Sequence, residues 1–317
     1  MLTSKKLYYT LLITTSILAS VSCKKEKDVT PNIANLVSTT TEFSTLSAAV
    51  TKAGLATTLS GAGPFTVFAP NNDAFTAAGI STSALSSLTA ADASKILLYH
   101  TIPSKIVSTA VPAGPNAKVV TASGDSVFVT RNTNGVFING LKVAQADISV
   151  SNGIVHKLTS GVLIPPAGNI VNTAVAGKLD SLVKAVTFAA TAPGGDPSLP
   201  GTLSTGILTV FAPTNAAFTT LLTALNLKDI RQIPVATLLA VLRYHVVAGR
   251  KFSSDLSNGT LSMLAGGTST INLSNGATGG PTITGGGNGG NKSNILAANV
   301  VCTNGVVHVI DRVLLPQ

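Results

Sequence analysis

The chain carries four histidines, and all of them fall in two short patterns that each occur twice. His100 and His245 follow a tyrosine, whereas His156 and His308 follow Asn-Gly-x-Val. Histidine changes charge near neutral pH and is both a frequent catalytic base and a frequent metal ligand. These residues are therefore the first candidates for a site. The alternative is that each one is a hydrogen-bonding brace, because both of its ring nitrogens can be satisfied inside a fold.

Other features that could carry catalysis or bind a cofactor are weak. A metal site needs three or four convergent ligands, and the sequence offers no further ligand cluster beside the histidines. No Gly-x-Ser-x-Gly segment is present, and Cys302 has no neighbouring base or cation to activate it. Gly285, Gly287 and Gly290 match a dinucleotide-binding pattern, but no helix follows them. We therefore expect no catalytic residue, metal or cofactor, and an unrecognised hydrolase stays the less favoured alternative.

The charge pattern argues against nucleic acid as a partner. The chain of 317 residues has 21 Lys and Arg against 12 Asp and Glu, a formal net charge of +9. The basic residues are scattered and are not interleaved with aromatic residues, as a nucleic-acid platform requires. With 45% hydrophobic and 10% charged residues, the chain is expected to fold.

The N-terminus has the pattern of an export signal. Lys5 and Lys6 precede an apolar run over residues 7–19, which is shorter than the roughly 20 residues that span a bilayer. The following Ser20-Val21-Ser22-Cys23 resembles the lipobox of bacterial lipoproteins. The resemblance implies a signal peptide over residues 1–22, a lipid on Cys23 and a polar tether over residues 23–31.

Such a protein would be exported and anchored in the cell envelope, at the outer membrane or cell surface, and would contact the membrane through its N-terminal lipid. Loss of Lys5 and Lys6 would lower its formal net charge from +9 to +7. The alternative is an ordinary signal peptide that is cleaved after Ala19 or Ser22. Lipidation would leave Cys302 as the only thiol, and we expect it to be a small buried apolar residue.

Three segments recur in the same order along the rest of the chain. Phe-Ala-Pro-x-Asn-x-Ala-Phe occurs from residues 68 and 211, which are 143 apart. Tyr-His and Asn-Gly-x-Val-His follow at spacings of 145 and 152 residues. Self-similarity at this period indicates a duplicated domain rather than a solenoid. The growth in spacing predicts a surface loop over the Gly-, Ser- and Asn-rich residues 274–291.

Each motif predicts local structure. Strands are expected before Pro70 and Pro213, and helices are expected directly after them. Thr89 and Asp92 stand at capping-box spacing and predict the start of a helix, and residues 235–242 carry helical periodicity behind Pro234. The polar residues after each proline are predicted to cap the helix that follows: Asn71, Asn72, Thr214 and Asn215.

Taken together, the three motifs resemble the fasciclin domain, twice over nearly all of the chain after the tether. The resemblance implies an α+β fold with two tandem fasciclin-like domains, each a wedge-shaped β-sandwich with packed helices, over residues 32–166 and 167–317. The first copy lacks the Asp that its pattern expects in the last motif. The residues that carry the motifs are Phe68, Pro70, Phe75, His156, Phe211, Pro213, Asn215, Phe218, His308 and Asp311.

The resemblance also implies a non-catalytic role in adhesion, through an envelope or extracellular-matrix protein or a polysaccharide. It places the partner-binding surface near Tyr99, His100, Tyr244 and His245. Our hypothesis assigns the contact to the second domain, where Arg243 and Arg250 add charge. The alternatives are that these side chains only brace the fold, and that the protein is a structural, envelope-organising lipoprotein without a specific ligand.

Overall fold

The computed structural model describes residues 30–274 and 280–317. Residues 31–317 form one compact unit. The predicted signal peptide, Cys23 and most of the predicted tether lie outside the described residues. Within those residues, no helix combines the length and the apolar character that crossing a bilayer requires.

The predicted domain limits assign thirteen helices and strands to the first copy. Its helices are α1 (Ile33–Thr39), α2 (Ser44–Ala53), α3 (Ala56–Ser60), α4 (Asn72–Ala77), α5 (Thr82–Ser87) and α6 (Ala90–Tyr99). Its strands are β1 (Phe65–Pro70), β2 (Thr101–Ile102), β3 (Gly114–Val120), β4 (Ser126–Asn132), β5 (Gly135–Ile138), β6 (Leu141–Val150) and β7 (Gly153–Leu158).

The second copy repeats this order with fewer helices. Its helices are α7 (Ile170–Ala176), α8 (Asp180–Thr191), α9 (Leu199–Thr205), α10 (Asn215–Ala224) and α11 (Val235–Arg243). Its strands are β8 (Leu208–Pro213), β9 (Val246–Ala248), β10 (Gly259–Ser262), β11 (Thr268–Asn272), β12 (Thr282–Gly285), β13 (Ser293–Cys302) and β14 (Gly305–Ile310).

Both copies have the same sheet topology. The strand order is β2-β1-β7-β6-β5-β4-β3 in the first copy and β10-β11-β12-β13-β14-β8-β9 in the second. β1 pairs parallel with β7, β8 pairs parallel with β14, and the other neighbouring strands are antiparallel. Register shifts interrupt the pairing of β6 with β7 and of β13 with β14. Such bulges bend a strand, so the sheet of each copy can fold over at β6 or β13.

Alternating side chains of β1 divide the first copy into two apolar layers. Phe68 packs with Val127 and Ile138 from the far strands, which fills the space between the two halves of the folded sheet. Val67 and Ala69 belong to a second cluster that contains residues of the helices. The period of two along a strand produces this division. The second copy has the same two layers around Phe211 and Val210.

The predicted helix starts are confirmed. Asn71 accepts a hydrogen bond from the backbone N–H of Ala74 at 3.0 Å, and Thr214 accepts one from Ala217 at 3.2 Å. Thr89 accepts one from the N–H of Asp92 at 3.1 Å, and α6 begins directly after it. Side-chain oxygens at these positions satisfy N–H groups that have no partner within the helix.

The surface loop predicted over residues 274–291 is wrong for its second part. β12 occupies Thr282–Gly285, and Thr282 and Ile283 are buried. A Cβ on Gly287 would lie 2.1 Å from the carbonyl oxygen of Pro316, so the C-terminal residues pack where a side chain would stand. Gly285 and Gly287, two of the three glycines that match the dinucleotide pattern, thus allow close backbone packing, which glycine alone permits.

Candidate functional site

The Tyr-His pair of the first copy lies at the end of α6 and points into the protein. The His100 ring lies with Nδ1 2.8 Å from the carbonyl oxygen of Ile96, and its Nε2 accepts from the N–H of Leu163 at 2.9 Å. A carbonyl must receive a hydrogen and an N–H must give one, so the ring is neutral with its proton on Nδ1. His100 therefore joins α6 to the segment that follows the last strand of its domain.

The second copy repeats this arrangement atom for atom. His245 has Nδ1 2.7 Å from the carbonyl oxygen of Val241, and its Nε2 accepts from the N–H of Leu314 at 2.9 Å. Burial lowers the pKa of both His100 and His245 to about 4, against a smaller opposing effect of the backbone carbonyls. Both imidazoles are thus uncharged at neutral pH.

The two tyrosines are equally internal. The hydroxyl of Tyr99 donates to the carbonyl oxygen of Ser126 at 3.0 Å and accepts from the side-chain amide of Asn139 at 3.0 Å. Burial raises the pKa of Tyr99 to about 12. The hydroxyl of Tyr244 donates to the carbonyl oxygen of Thr268 and accepts from the N–H of Gly286 at 2.9 Å.

These positions correct the hypothesis that the Tyr-His segments contact a partner directly. The exposed fractions are 0% for Tyr99, 1% for His100, 1% for Tyr244 and 2% for His245. Their polar atoms are satisfied by groups of the same chain, which is how buried polar side chains are normally found. The structure therefore favours the bracing role, and a partner surface has to be built from neighbouring residues.

The second pair of histidines uses the opposite tautomer. His156 accepts at Nδ1 from the N–H of Asp147 at 3.2 Å, and its Nε2 lies 2.9 Å from the carbonyl oxygen of Ile106. His308 accepts from Asn299 at 3.3 Å, and its Nε2 lies 2.9 Å from the carbonyl oxygen of Lys251. Burial lowers the pKa of His156, and it lowers that of His308 to about 4.

Each ring of this second pair packs on a phenylalanine of the first motif. The centroid of the His156 ring lies 5.1 Å from that of Phe68, and the centroid of the His308 ring lies 5.2 Å from that of Phe211. In each copy the histidine and the phenylalanine are direct partners on two neighbouring parallel strands, so their rings pack side by side on one face of the sheet. The two motifs are therefore separate in sequence but form one packed unit in each domain.

The remaining motif residues also pack or form hydrogen bonds inside the fold. Phe75 and Phe218 are buried on the first turns of α4 and α10, after the strands that end at Pro70 and Pro213. The carboxylate of Asp311 accepts from the backbone and side-chain nitrogens of Asn294 at 2.7 and 2.6 Å. Only the second copy has this bond, because the first copy lacks the Asp.

Two of the four predicted caps have a different target. The side-chain oxygen of Asn215 accepts from the N–H of Ser181 at 2.9 Å, and its amide donates to the carbonyl oxygen of Lys178 at 3.0 Å. The side-chain oxygen of Asn72 likewise accepts a hydrogen bond from the backbone N–H of Thr45 at 3.0 Å. These two asparagines therefore cap α8 and α2 rather than their own helices. Sequence reasoning could not find these partners, which lie about 30 residues away.

Sequence reasoning also missed the role of the asparagine in the last motif. Asn304 accepts from the N–H of Ile170 at 2.9 Å and donates to the carbonyl oxygens of Leu203 and Gly206, each at 2.9 Å. In the first copy, Asn152 accepts from Ile33 at 3.0 Å and donates to two carbonyls at 2.8 Å. The recurrence of an asparagine before glycine in both copies was the signal in the sequence that could have indicated this role. Each asparagine fastens the first helix of its domain to the last hairpin.

Metal binding and thiol chemistry find little support among the described residues. Residues 30–274 and 280–317 contain no group of three or more His, Cys, Asp and Glu that could hold a metal ion. Cys302 is 1% exposed, which confirms its predicted burial, and its thiol donates to the hydroxyl of Thr173 at 3.2 Å. Burial raises the pKa of Cys302, which disfavours the reactive thiolate.

An open cleft lies beside the Tyr-His segment of the second copy. It has a volume of about 550 Å³ and is lined by α9, by the end of α11 and by the segment after β10. Arg243 and Asp196 form an ion pair across it at 2.7 Å, and Leu264, 50% exposed, adds an apolar edge. A hydrogen bond from Ser198 and then one from Arg243 lower the pKa of Asp196. The position that corresponds to Arg243 in the first copy is Leu98.

Arg250, the other arginine in our hypothesis, lies between the two copies rather than on an open surface. Its guanidinium carbon lies 3.9 Å from the centroid of the Phe128 ring, and Phe128 in turn packs against Phe252 at 6.0 Å. Asn116 of the first copy donates to the carbonyl oxygen of Arg250 at 2.8 Å and to the carboxylate of Asp255 at 3.0 Å. Arg250 therefore belongs to the contact between the domains.

Comparison with known proteins identifies the family. A family model described as the fasciclin domain matches residues 41–165 and again residues 186–316. The chain belongs to the fasciclin family. Its fold is accordingly two tandem fasciclin domains of α+β type.

Relatives match the fasciclin chain over about one domain. Protein sll1483 of a Synechocystis strain is 41% identical over 126 residues, which is 39% of this chain and 68% of that protein. The transforming growth factor-beta-induced protein ig-h3 of Sus scrofa is 38% identical over 125 residues, 39% of this chain but only 18% of that protein. The immunogenic protein MPB70 of Mycobacterium bovis is 35% identical over 38% of this chain and 55% of its own length.

One solved structure covers both domains. It is the fasciclin domain pair of the insect cell adhesion molecule fasciclin I, with 19% sequence identity and a TM-score of 0.40 over 86% of this chain and 92% of that chain.

Proposed function

We propose that this protein is a lipid-anchored, non-catalytic binding protein of the cell envelope, which uses its fasciclin domains to hold a protein or polysaccharide partner. The anchor rests on the resemblance of Ser20-Val21-Ser22-Cys23 to a lipobox. The binding role rests on the family and on the distribution of polar groups in the two domains. A structural lipoprotein without a ligand is the alternative that the experiment below tests.

One observation carries the proposal. The groups that could do chemistry are used inside the fold, while the second domain keeps an open cleft. All four histidines are neutral and are bonded to backbone groups, and Cys302 is buried. Catalytic groups need to reach a substrate, whereas these are satisfied by the chain itself. A molecule with this distribution is suited to binding rather than turnover.

The cleft at Arg243 is the surface that we assign to the partner. Ligand sites usually have volumes of about 300–1,000 Å³ and combine apolar walls with a few polar groups. At about 550 Å³, with an ion pair, the polar residues Ser198 and Thr202 and the exposed Leu264, this cleft fits that description. It lies directly over the segment that the family resemblance places near an adhesive surface. The surface is adjacent to Tyr244 and His245 but does not include their side chains.

The test measures binding of the full chain, solubilised in detergent, to purified polysaccharides and to envelope and matrix proteins. Arg243→Glu places a second acid beside Asp196 and should weaken saturable binding about tenfold or more. Arg231→Glu is the matched control, because Arg231 also pairs with an aspartate on the surface, at 2.9 Å from Asp229. It should leave binding within about twofold, since exposed ion pairs contribute little.

Loss of binding in Arg243→Glu alone supports both the function and the surface. Equal loss in the two variants refutes the surface, and no saturable binding by the wild-type chain supports the structural alternative. Turnover of a polysaccharide that disappears when one histidine is changed would instead establish a hydrolase.

A further inference from the structure

A second cleft lies between the two domains and is lined by more positive than negative side chains. It has a volume of about 330 Å³. The hairpin of β3 and β4 lines one side with Lys118, Asp125 and Ser126, and the second domain lines the other with Arg250 and Thr303. Two cations therefore face one carboxylate.

Arg250 is held firmly but has no acidic partner. Its Nη1 donates to the carbonyl oxygens of Cys302, at 3.0 Å, and of Gly305, and its Nη2 donates to that of Thr303 at 3.2 Å. Among the described residues, no carboxylate lies within ion-pair distance of Arg250 and no acceptor is bonded to its Nε–H. The carbonyl groups and the Phe128 ring fix the guanidinium plane, and within residues 30–274 and 280–317 no carboxylate neutralises its charge.

Burial makes that charge costly. Desolvation lowers the pKa of Arg250, which means that its surroundings disfavour the charged form. Guanidinium stays protonated under ordinary conditions, so an anion that enters the cleft would offset this cost. A planar guanidinium with an open N–H group is also well shaped to receive a carboxylate.

Lys118 supplies the second cation at the mouth of the cleft. It is exposed, and within residues 30–274 and 280–317 it forms no ion pair. Lysine on a flexible stem can follow a bound anion, whereas Arg250 cannot move without breaking three hydrogen bonds. The pair thus combines one fixed and one adjustable positive group.

We propose that this interdomain cleft binds a carboxylate-bearing sugar unit of an acidic polysaccharide. Arg250 and Lys118 receive the carboxylate, while Asp125, Ser126 and Thr303 are placed to bond the ring hydroxyls. Ile207 and Val301 provide an apolar wall for the C–H face of the ring, while the Phe128 ring is covered by the guanidinium of Arg250. The inference rests on the proposed binding function and specifies one ligand class for it, at a site separate from the cleft at Arg243.

The lining favours an acidic sugar over an acidic peptide. A run of acidic residues carries carboxylates and no hydroxyl groups, so Asp125 would repel it and the hydroxyls of the cleft would lack partners. A uronic acid carries one carboxylate and several hydroxyls, and carboxylates such as Asp125 are strong acceptors for hydroxyl donors. The volume, at the small end of the usual range for ligand sites, suits one or two sugar units.

The probe is a trimer of galacturonic acid, titrated into the full chain in detergent by calorimetry at low salt. Lys118→Glu should weaken its binding about tenfold or more, through loss of one attraction and gain of one repulsion. Lys95→Glu is the matched control: it changes the net charge equally at an exposed lysine of α6, outside the cleft, and should leave binding within about twofold. The uncharged methyl ester of the trimer should bind at least tenfold more weakly than the acid.

A second variant separates the charge of Arg250 from its shape. Arg250→Lys keeps the positive charge but has fewer N–H donors and lacks the planar guanidinium. It should weaken binding of the acid trimer severalfold, while the far-ultraviolet circular dichroism of the protein stays unchanged. Equal effects of Lys118→Glu and Lys95→Glu would overturn the inference, as would tighter binding of polyglutamate than of the trimer. If the trimer fails but a panel partner still depends on Arg243, the inference is refuted and the proposed function stands.

Discussion

Lowering the pH from 7 to 5 should remove a large part of the folding stability of this protein, because three histidines are buried in the neutral form. His100, His245 and His308 have a pKa of about 4 in the folded chain, against 6.5 for the ordinary side chain. The unfolded chain therefore binds more protons than the folded chain throughout this interval. The stabilising effect is complete above pH 6.5 and is lost as the pH falls toward 4.

The magnitude follows from the two pKa values. A difference of 2.5 pH units corresponds to about 3 kcal/mol per histidine in full, and about 2 kcal/mol of it is lost by pH 5. The three residues together then lower the free energy of unfolding by about 6 kcal/mol, and His156 acts in the same direction. Domains are stable by only about 5–15 kcal/mol in total. Aspartates with lowered pKa values stay ionised at pH 5 in both states, so this interval isolates the histidines.

Urea unfolding at constant ionic strength, followed by circular dichroism at pH 7.5, 6.5, 5.5 and 5.0, measures the effect. His245→Gln should lower the stability at pH 7 and remove about a third of the pH dependence. Long-range ¹H–¹⁵N spectra of the folded chain should show the proton on Nδ1 of His100 and His245 and on Nε2 of His156 and His308. A free energy of unfolding that is constant from pH 7.5 to 5.0, or imidazoles that titrate near 6.5 in the folded chain, would refute the reasoning.

Three further predictions test other parts of the structure. Asn304→Ala removes three partly buried hydrogen bonds and should lower the free energy of unfolding by about 2–4 kcal/mol in urea titrations, whereas Asn134→Ala in an exposed turn should change it by less than about 0.5 kcal/mol. Cys302 should react with a thiol reagent only at the rate of unfolding, since it is buried and its pKa is raised, so rapid labelling of the folded chain would contradict its placement. Intact mass should show an acyl addition on Cys23, and Cys23→Ala should move the protein from the membrane fraction to the soluble fraction; an unmodified, soluble wild type would exclude the anchor.

The sequence predicted those features of the fold that depend on neighbouring residues. The strands that end at Pro70 and Pro213 and the helix caps at Thr89 and Asn71 follow from local chemistry, and the structure has them. The strand Thr282–Gly285 was missed because Gly285 at its end and Gly287 just after it serve close packing against Leu315 and Pro316, which composition cannot reveal.

The candidate site was harder to predict because it depends on contacts between distant residues. The repeated Tyr-His pattern marked important side chains, but their burial depends on the backbone groups of Leu163 and Leu314, more than 60 residues away. Arg250 was noticed for its charge, yet its setting is decided by Phe128 and Asn116 of the other domain. Residue type indicated which positions matter. Only the three-dimensional contacts show whether a side chain stabilises the fold from inside or lies on a surface where a partner can bind.

The long-range bonds of Asn152 and Asn304 also bear on when each domain can fold during synthesis. The first helix of each copy is capped by a residue 119 or 134 positions later, and chains closed by such distant contacts fold slowly. Neither domain can be completed until its last hairpin has left the ribosome. If the N-terminus acts as an export signal, this delay would keep the emerging chain open while the export machinery, which threads unfolded polypeptides, takes hold of it.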